Sequence, residues 1–450
     1  MKKSTVIVIS TVAVLFIAAG VGVLVWWLLQ SRDLFEIIQL EGDGFRDVKH
    51  TAAFTRIRGV GDMFWLFYPT VVSIPTSRPI IIWLDGITGV PPSFLVNFGM
   101  FGPLDVNLNK REDSWVDDYN LLFVDAPVGT GFSRAEDNTT ISGDINDTAE
   151  NLLYTIESFY KIHEDYANTP LYIFGQGHGA QLAVALGIRV AETQSFSSNL
   201  KGVVIGNGII SPALALTQLG FYLEELGYID ENGRNAINEF STSINNYTND
   251  EQFERAFDLF SSLESFVNEY AGAIAVNLNH MIDKLSRNSS RDSFGLNKYL
   301  RDTVHTSNTD LYKFMDEMIA PVLGISDNVK YEEQRDAATQ AFRTYFMRPA
   351  VDKIEHLLQN TNITVTIYNG NLDAVSNTPG TLLWVENLQW PGQDSFLNSS
   401  RSTLIVNSRV EGYIRQSARF QFYWINAAGQ SVPLDSPIAM RRVLQSITSN

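Results

Sequence analysis

Short apolar runs closed by glycine or proline recur along this chain, with segments of helical period between them, and nothing else in the sequence narrows the fold as far. "FWLFYPTVV", "RPIIIWLDG", "YNLLFVDAP", "PLYIFGQG" and "LKGVVIGNG" are short and rich in Val, Ile, Phe and Tyr, which reads as strands. Between them, "DTAENLLYTIESFYKIHEDY" sets Leu152, Leu153, Ile156, Phe159 and Tyr160 at helical spacing, behind acidic residues and a threonine suited to a helix start. Strand, helix, strand in succession implies an α/β fold with a mostly parallel sheet covered on both faces. From about Pro212 to Arg348 the pattern turns to polar and amphipathic helices such as "EQFERAFDLFSSLESFVNEY". A block of that length is too long for a connection and reads as a helical cap inserted over the carboxyl edge of the sheet, about 212–348. Strands resume with "NITVTIYNGNLD" and "RFQFYWINAAG", and the chain closes on a helix, "SPIAMRRVLQSIT".

The opening segment "MKKSTVIVISTVAVLFIAAGVGVLVWWLLQSRD" carries Lys2 and Lys3 and then an uncharged run from Ser4 to Ser31. That run exceeds the roughly 20 residues needed to cross a bilayer, and also the apolar core of about 7 to 15 residues in a secretory signal. It reads as a signal anchor: residues 1–4 a short cytoplasmic tail, 5–30 the span, and 34–450 a body in a lumen or outside the cell. The alternative is a long signal peptide that is removed, leaving a secreted protein. Glycan acceptor triplets at Asn138, Asn146, Asn246, Asn288, Asn362 and Asn398 agree with passage through the secretory pathway.

Among 450 residues a formal charge of −17 argues against nucleic acid as a partner, since like charge repels it. With no cysteine, disulfides and thiol chemistry are excluded. The six histidines, His50, His163, His178, His280, His305 and His356, are scattered through the sequence and form no ligand motif, so neither metal nor cofactor is expected.

The stretch "LYIFGQGHGAQLAVALG", Leu171 to Gly187, runs from an apolar strand through a glycine-rich turn into a helix, the setting in which a nucleophilic serine is presented at the top of a sheet. Glycine, Gly177, stands at the centre of that turn. With "GDMFWLFYPT", "FGPLDVNLNKREDSWVDDYNLLFVDAPVGTGFS", "TVTIYNGNLDAVSNTPGTLLWVENLQWPG" and "AGQSVPLDSP", the chain resembles the serine carboxypeptidase family of the α/β-hydrolase fold, and within it the retinoid-inducible branch. The resemblance spans nearly all of the chain after residue 34.

It implies a Ser, Asp, His triad in that chain order, and the matching positions are Gly177, Asp373 and Gln430. Glycine has no side chain to acylate, and glutamine takes no proton near neutral pH. Asp373 then reads as a carboxylate accepting loop hydrogen bonds. The oxyanion loop is matched by "WLDGITGVPP", where Ile87 replaces a glycine and Thr88 a proline; a β-branched residue disfavours glycine's backbone angles, so no preformed hole is expected. The family's groups for a peptide's terminal carboxylate are matched by Asp85, Gln176 and Met100, and an ionised Asp85 would repel that carboxylate. Pro91, Pro92, Phe94 and Met100 suggest an apolar mouth. His178 reads as packing or hydrogen bonding at the elbow, because a base needs a nucleophile within reach.

The expected function is a membrane-anchored, non-catalytic homologue that binds an unidentified protein or peptide. The competing expectation is a hydrolase with relocated groups, for which a hydroxyl would have to lie within about 3.2 Å of His178.

Overall fold

In this computed structural model, residues 34–193, 196–272, 275–285 and 311–449 are described. The chain forms two compact units. Met1–Glu36 is described only at residues 34–36, and Ile37–Asn450 contains the site discussed below. The apolar run from Ser4 to Ser31, the span assigned to 5–30 and the triplet at Asn288 lie outside the described residues. Among the described residues no helix is long and apolar enough to cross a membrane.

The strands are β1 (Phe35–Gln39), β2 (Thr51–Ile57), β3 (Gly61–Tyr68), β4 (Ile80–Leu84), β5 (Asn120–Val124), β6 (Arg134–Ala135), β7 (Leu171–Gln176), β8 (Leu200–Gly206), the short pair β9 (Ala275–Val276) and β10 (Lys284–Leu285), then β11 (Thr364–Gly370), β12 (Ser402–Val406), β13 (Arg409–Ser417) and β14 (Phe420–Ile425). The large sheet has the order β1-β2-β3-β5-β4-β7-β8-β11-β14-β13-β12, with β6 beside β3. Its centre, from β5 through β14, is parallel throughout. Both wings are antiparallel, β2–β3–β5 on one side and β14–β13–β12 on the other. The sheet is therefore mixed, with a parallel heart, where the sequence suggested a mostly parallel one.

The central strands are covered on both faces, so every residue of β4 and β7 is buried and each reads as a continuous apolar run. The wing strand β13, "RVEGYIRQS", is largely half-exposed or exposed, and its polar residues hide it from a search for apolar runs. Helix α1 (Ile145–Ile162) buries Leu152, Leu153, Ile156 and Phe159, and its start is capped by Asp144, whose carboxylate accepts from the Asn146 N–H at 2.8 Å. Helix α2 (Gly179–Glu192) follows β7 directly.

The inserted block holds α3 (Glu231–Asn249), α4 (Phe253–Ser261), α5 (Leu263–Tyr270) and α6 (Arg335–Phe342) among its helices. Its apolar core, including Ile237, Phe257, Val267, Phe342 and Phe346, also takes in Ile87, Ile209 and Ala374 from loops at the carboxyl edge of the sheet. The cap and the site loops therefore share one core.

Candidate functional site: the elbow and its surroundings

Gly177 sits between β7 and α2 with φ +56°, a left-handed conformation that glycine adopts without strain. Its N–H donates to Gly206 O at 3.2 Å and its carbonyl accepts from Ile209 N at 3.0 Å, so the turn is anchored to the end of β8. Its neighbour Gly179 is fixed by packing, because a Cβ there would stand 2.1 Å from Leu84 O. A Cβ built on Gly177 would lie 3.0 Å from Gln430 Nε2 and 3.0 Å from Thr88 Oγ1. Positions 177 and 430, far apart in sequence, thus meet at the elbow, and the Thr88 hydroxyl stands with them.

Asp373 is fully buried in the turn after β11. Its carboxylate accepts from Asn207 Nδ2 at 2.8 Å, Val375 N at 2.8 Å and Ser376 N at 3.2 Å. Burial pushes its pKa up to about 7 against the pull of those donors. Asn207, at φ +42°, also accepts from Gly370 N at 3.0 Å and ties the ends of β8 and β11 together. No motif points to Asn207; its only local signal is an Asn-Gly pair closing a strand.

Gln430 is fully buried and neither its amide nitrogen nor its amide oxygen has a hydrogen-bond partner, so Asp373 orients nothing at this position. Its backbone N–H donates to Asn279 O at 2.8 Å. Residues 277–281 of the insertion run between the two loops: Ala374 N donates to Leu278 O at 2.7 Å and Met281 N to Leu372 O at 3.0 Å. This placement, which brings His280 against Gly429, had no counterpart in the sequence reading.

An oxyanion is stabilised by backbone N–H groups that point at it and are otherwise unused. The two matching donors here are the N–H groups of His178 and Ile87. The His178 N–H donates to Thr88 Oγ1 at 3.1 Å, and the Ile87 N–H points to His178 Nδ1 at 3.3 Å. Both donors are consumed inside the protein.

The cause differs from the one expected. Left-handed geometry falls on Gly86, at φ +67°, and Ile87 is not among the residues with positive φ. What holds the Ile87 peptide is Arg335, at the start of α6, whose guanidinium Nη2 donates to Ile87 O and, at 2.7 Å, to Gly89 O. Arg335 is itself paired with Glu332 at 2.9 Å, and Glu332 accepts from Gly131 N at 2.7 Å.

The imidazole of His178 is stacked on Phe346 and meets Phe342 edge-on, with centroid distances of 5.2 and 4.9 Å. Burial, and secondarily the charge of Arg335, push its pKa down to about 3, so it is neutral. Its Nε2 has no hydrogen-bond partner and its Nδ1 faces a backbone N–H, so the ring is bonded to no serine or threonine hydroxyl in the manner general-base activation requires.

Asp85 also corrects its expectation. It is 1% exposed, and burial raises its pKa to about 8, overriding its hydrogen bond from Trp83 Nε1 at 2.9 Å and the nearby Arg335. At neutral pH the carboxyl is mainly protonated, so charge repulsion is not what it would present to a ligand. Gln176 Nε2 reaches Asp85 Oδ1 at 3.4 Å, so the amide and the acid of this pair stand exchanged relative to the pattern the resemblance implies.

Met100 lies against Ser431, whose hydroxyl points to Sδ at 3.8 Å. The apolar mouth is not found: Pro91, Pro92, Phe94 and Met100 are all buried, and Phe94 packs on Phe314 from the insertion. The acceptor asparagines Asn138, Asn146, Asn246, Asn362 and Asn398 are all exposed.

A family model described as serine carboxypeptidase matches residues 43–450. Serine carboxypeptidase-like 51 of Arabidopsis thaliana is 30% identical over 426 residues, covering 88% of this chain and 91% of that protein. The retinoid-inducible serine carboxypeptidase of Rattus norvegicus is 27% identical over 411 residues, covering 88% and 90%. Among solved structures, Kex1(delta)p, a prohormone-processing carboxypeptidase from Saccharomyces cerevisiae, superposes with a TM-score of 0.74 at 20% identity, covering 92% of this chain and 95% of that one, a likeness of fold. Matched by the family model over residues 43–450 and in fold to a solved carboxypeptidase, this chain belongs to the serine carboxypeptidase family and has the α/β-hydrolase fold.

Proposed function

We propose that this chain is a non-catalytic member of its family, acting by binding a protein or peptide, anchored in a membrane by residues 5–30 with its body lumenal or extracellular. The observation that carries the loss of catalysis is the coincidence at one point of Gly177, the unprotonatable Gln430 and the two consumed N–H groups of His178 and Ile87. Nucleophile, base and charge stabilisation are separate contributions to acyl transfer, and loss of the serine or the histidine alone costs about 10⁶ in turnover in a studied serine hydrolase. The uncharged run after Lys2 and Lys3 supports the anchor, and five exposed glycan acceptors support exposure to the glycosylating compartment.

The test has two parts. The full-length protein incubated with a mixed peptide library should release no C-terminal residues above a heat-treated control; release would overturn the non-catalytic reading. In cells it should resist alkaline carbonate extraction and shift in mass on glycosidase treatment. Extraction into the soluble fraction would remove the anchor and favour the cleaved-signal alternative.

A further inference from the structure

A cleft of about 650 Å³ opens between residues 99–115 and the terminal helix α7 (Pro437–Thr448). Its volume falls in the range of small-ligand sites. One side is apolar: Met100, Trp115 and Leu434 line it, and Ile438 stands 57% exposed there. Trp115 is rigid, stacked on Phe101 at 3.6 Å between centroids.

The other side carries three arginines in a strongly acidic chain, and they are not equivalent. Arg441 is neutralised by Asp118 at 3.2 Å, with Asp117 at 3.9 Å and Asp113 at 4.0 Å. Arg111 spends its guanidinium on the neutral carbonyls of Phe98 at 2.7 Å, Gly102 at 3.1 Å and Leu104 at 3.2 Å, so its charge is fixed in place and meets no carboxylate there. Arg442 is exposed and forms no ion pair among the described residues.

We propose that this cleft binds an apolar chain ending in a single carboxylate, the chain lying on Leu434 and Ile438 above a floor of the buried Met100 and Trp115, and the carboxylate taken by Arg442. A planar guanidinium with free donors is matched to a carboxylate in geometry and charge. The acids Glu112 and Asp113, also at the cleft, oppose a second negative charge and so select a monoanion over a polyacid. The site is distinct from the elbow, and it stands whether or not the chain hydrolyses anything.

Calorimetric titration of the full-length protein with decanoate, and with an acetylated Leu-Leu-Phe peptide as the free acid and as the C-terminal amide, tests this. One or both free acids should bind, the peptide amide should bind at least about tenfold more weakly than any peptide acid that binds, and Arg442→Gln should weaken every acid by about the same factor at unchanged melting temperature. Ile438→Ser, which removes apolar surface from under the chain without changing the charge, should weaken acid and amide alike. Stronger binding of decanoate identifies a lipid-derived acid as the natural class, and stronger binding of the peptide identifies a free C-terminus. No binding up to about 1 mM, equal binding of peptide acid and amide, or an unaffected Arg442→Gln variant would overturn the proposal.

Discussion

The two halves of the elbow site use their hydrogen bonds in opposite ways. On one side, Asp373 and Asn207 make four hydrogen bonds, two that join the ends of β8 and β11 and two that close the loop after β11. On the other, the Ile87 loop is turned inward, its N–H on His178 and its carbonyls on Arg335. In the first half the bonds close loops, a use that requires no imidazole. In the second half both N–H donors are taken by acceptors within the elbow and its loop, Thr88 Oγ1 and His178 Nδ1. A group kept for catalysis alone is free to change, whereas one that also satisfies buried backbone donors is not.

If both halves are structural, breaking either must cost stability, and the ranking sharpens the comparison. Arg335→Ala should cost the most, about 3–5 kcal/mol, because it leaves the buried Glu332 carboxylate without its charge partner and two carbonyls without a donor. Adding Glu332→Gln should recover part of that loss. Asp373→Ala should cost about 3 kcal/mol, roughly 1 kcal/mol for each of three stranded donors. Denaturant unfolding reads both values; an Asp373→Ala variant as stable as the natural protein would break the reading of that half as scaffold.

Restoring chemistry separates the halves further. Gly177→Ser with Gln430→His supplies nucleophile and base but leaves the Ile87 and His178 donors occupied. Adding Thr88→Gly and His178→Ala removes the two acceptors, Thr88 Oγ1 and His178 Nδ1, and should raise covalent labelling by a fluorophosphonate at least about 100-fold over the two-site variant, the worth of one such donor. Equal labelling by the two variants would mean that the occupied donors do not limit the site.

A smaller effect is the pH dependence of stability. Asp85, Asp125 and Asp373 have pKa values raised by burial to about 8, 7 and 7 from 3.8. The folded state therefore holds protons that the unfolded chain releases, and stability declines as pH rises from about 4 to about 8. The melting temperature should be higher at pH 5 than at pH 8, and Asp85→Asn should flatten the upper part of that slope. A rise in stability over this range would contradict the assignment of these carboxyls as neutral and buried.

How much of this was legible in sequence depends on range. The parallel strands and α1 were readable because burial on both faces, or at helical spacing, writes itself into consecutive residues. In the antiparallel wings β3 was readable as a buried apolar run, but β12 and β13 were not, since they are largely exposed and mix polar with apolar residues. Gly177, Asp373, Gln430 and Asp85 were placed by local motifs. The charge state of Asp85 was misread because protonation follows from burial by residues distant in the chain. The lock on the loop was invisible for the same reason: Arg335 and Ile87 are 248 positions apart, and nothing local to either announces the contact.

The most direct test of the central claim is exposure of the natural full-length protein to a fluorophosphonate probe, with any adduct located by mass spectrometry and the four-site variant as positive control. The account predicts no adduct on the natural protein and a single adduct at position 177 of the variant. A stoichiometric adduct on a serine or threonine of the natural protein, lost on denaturation before labelling, would show an activated nucleophile and contradict it.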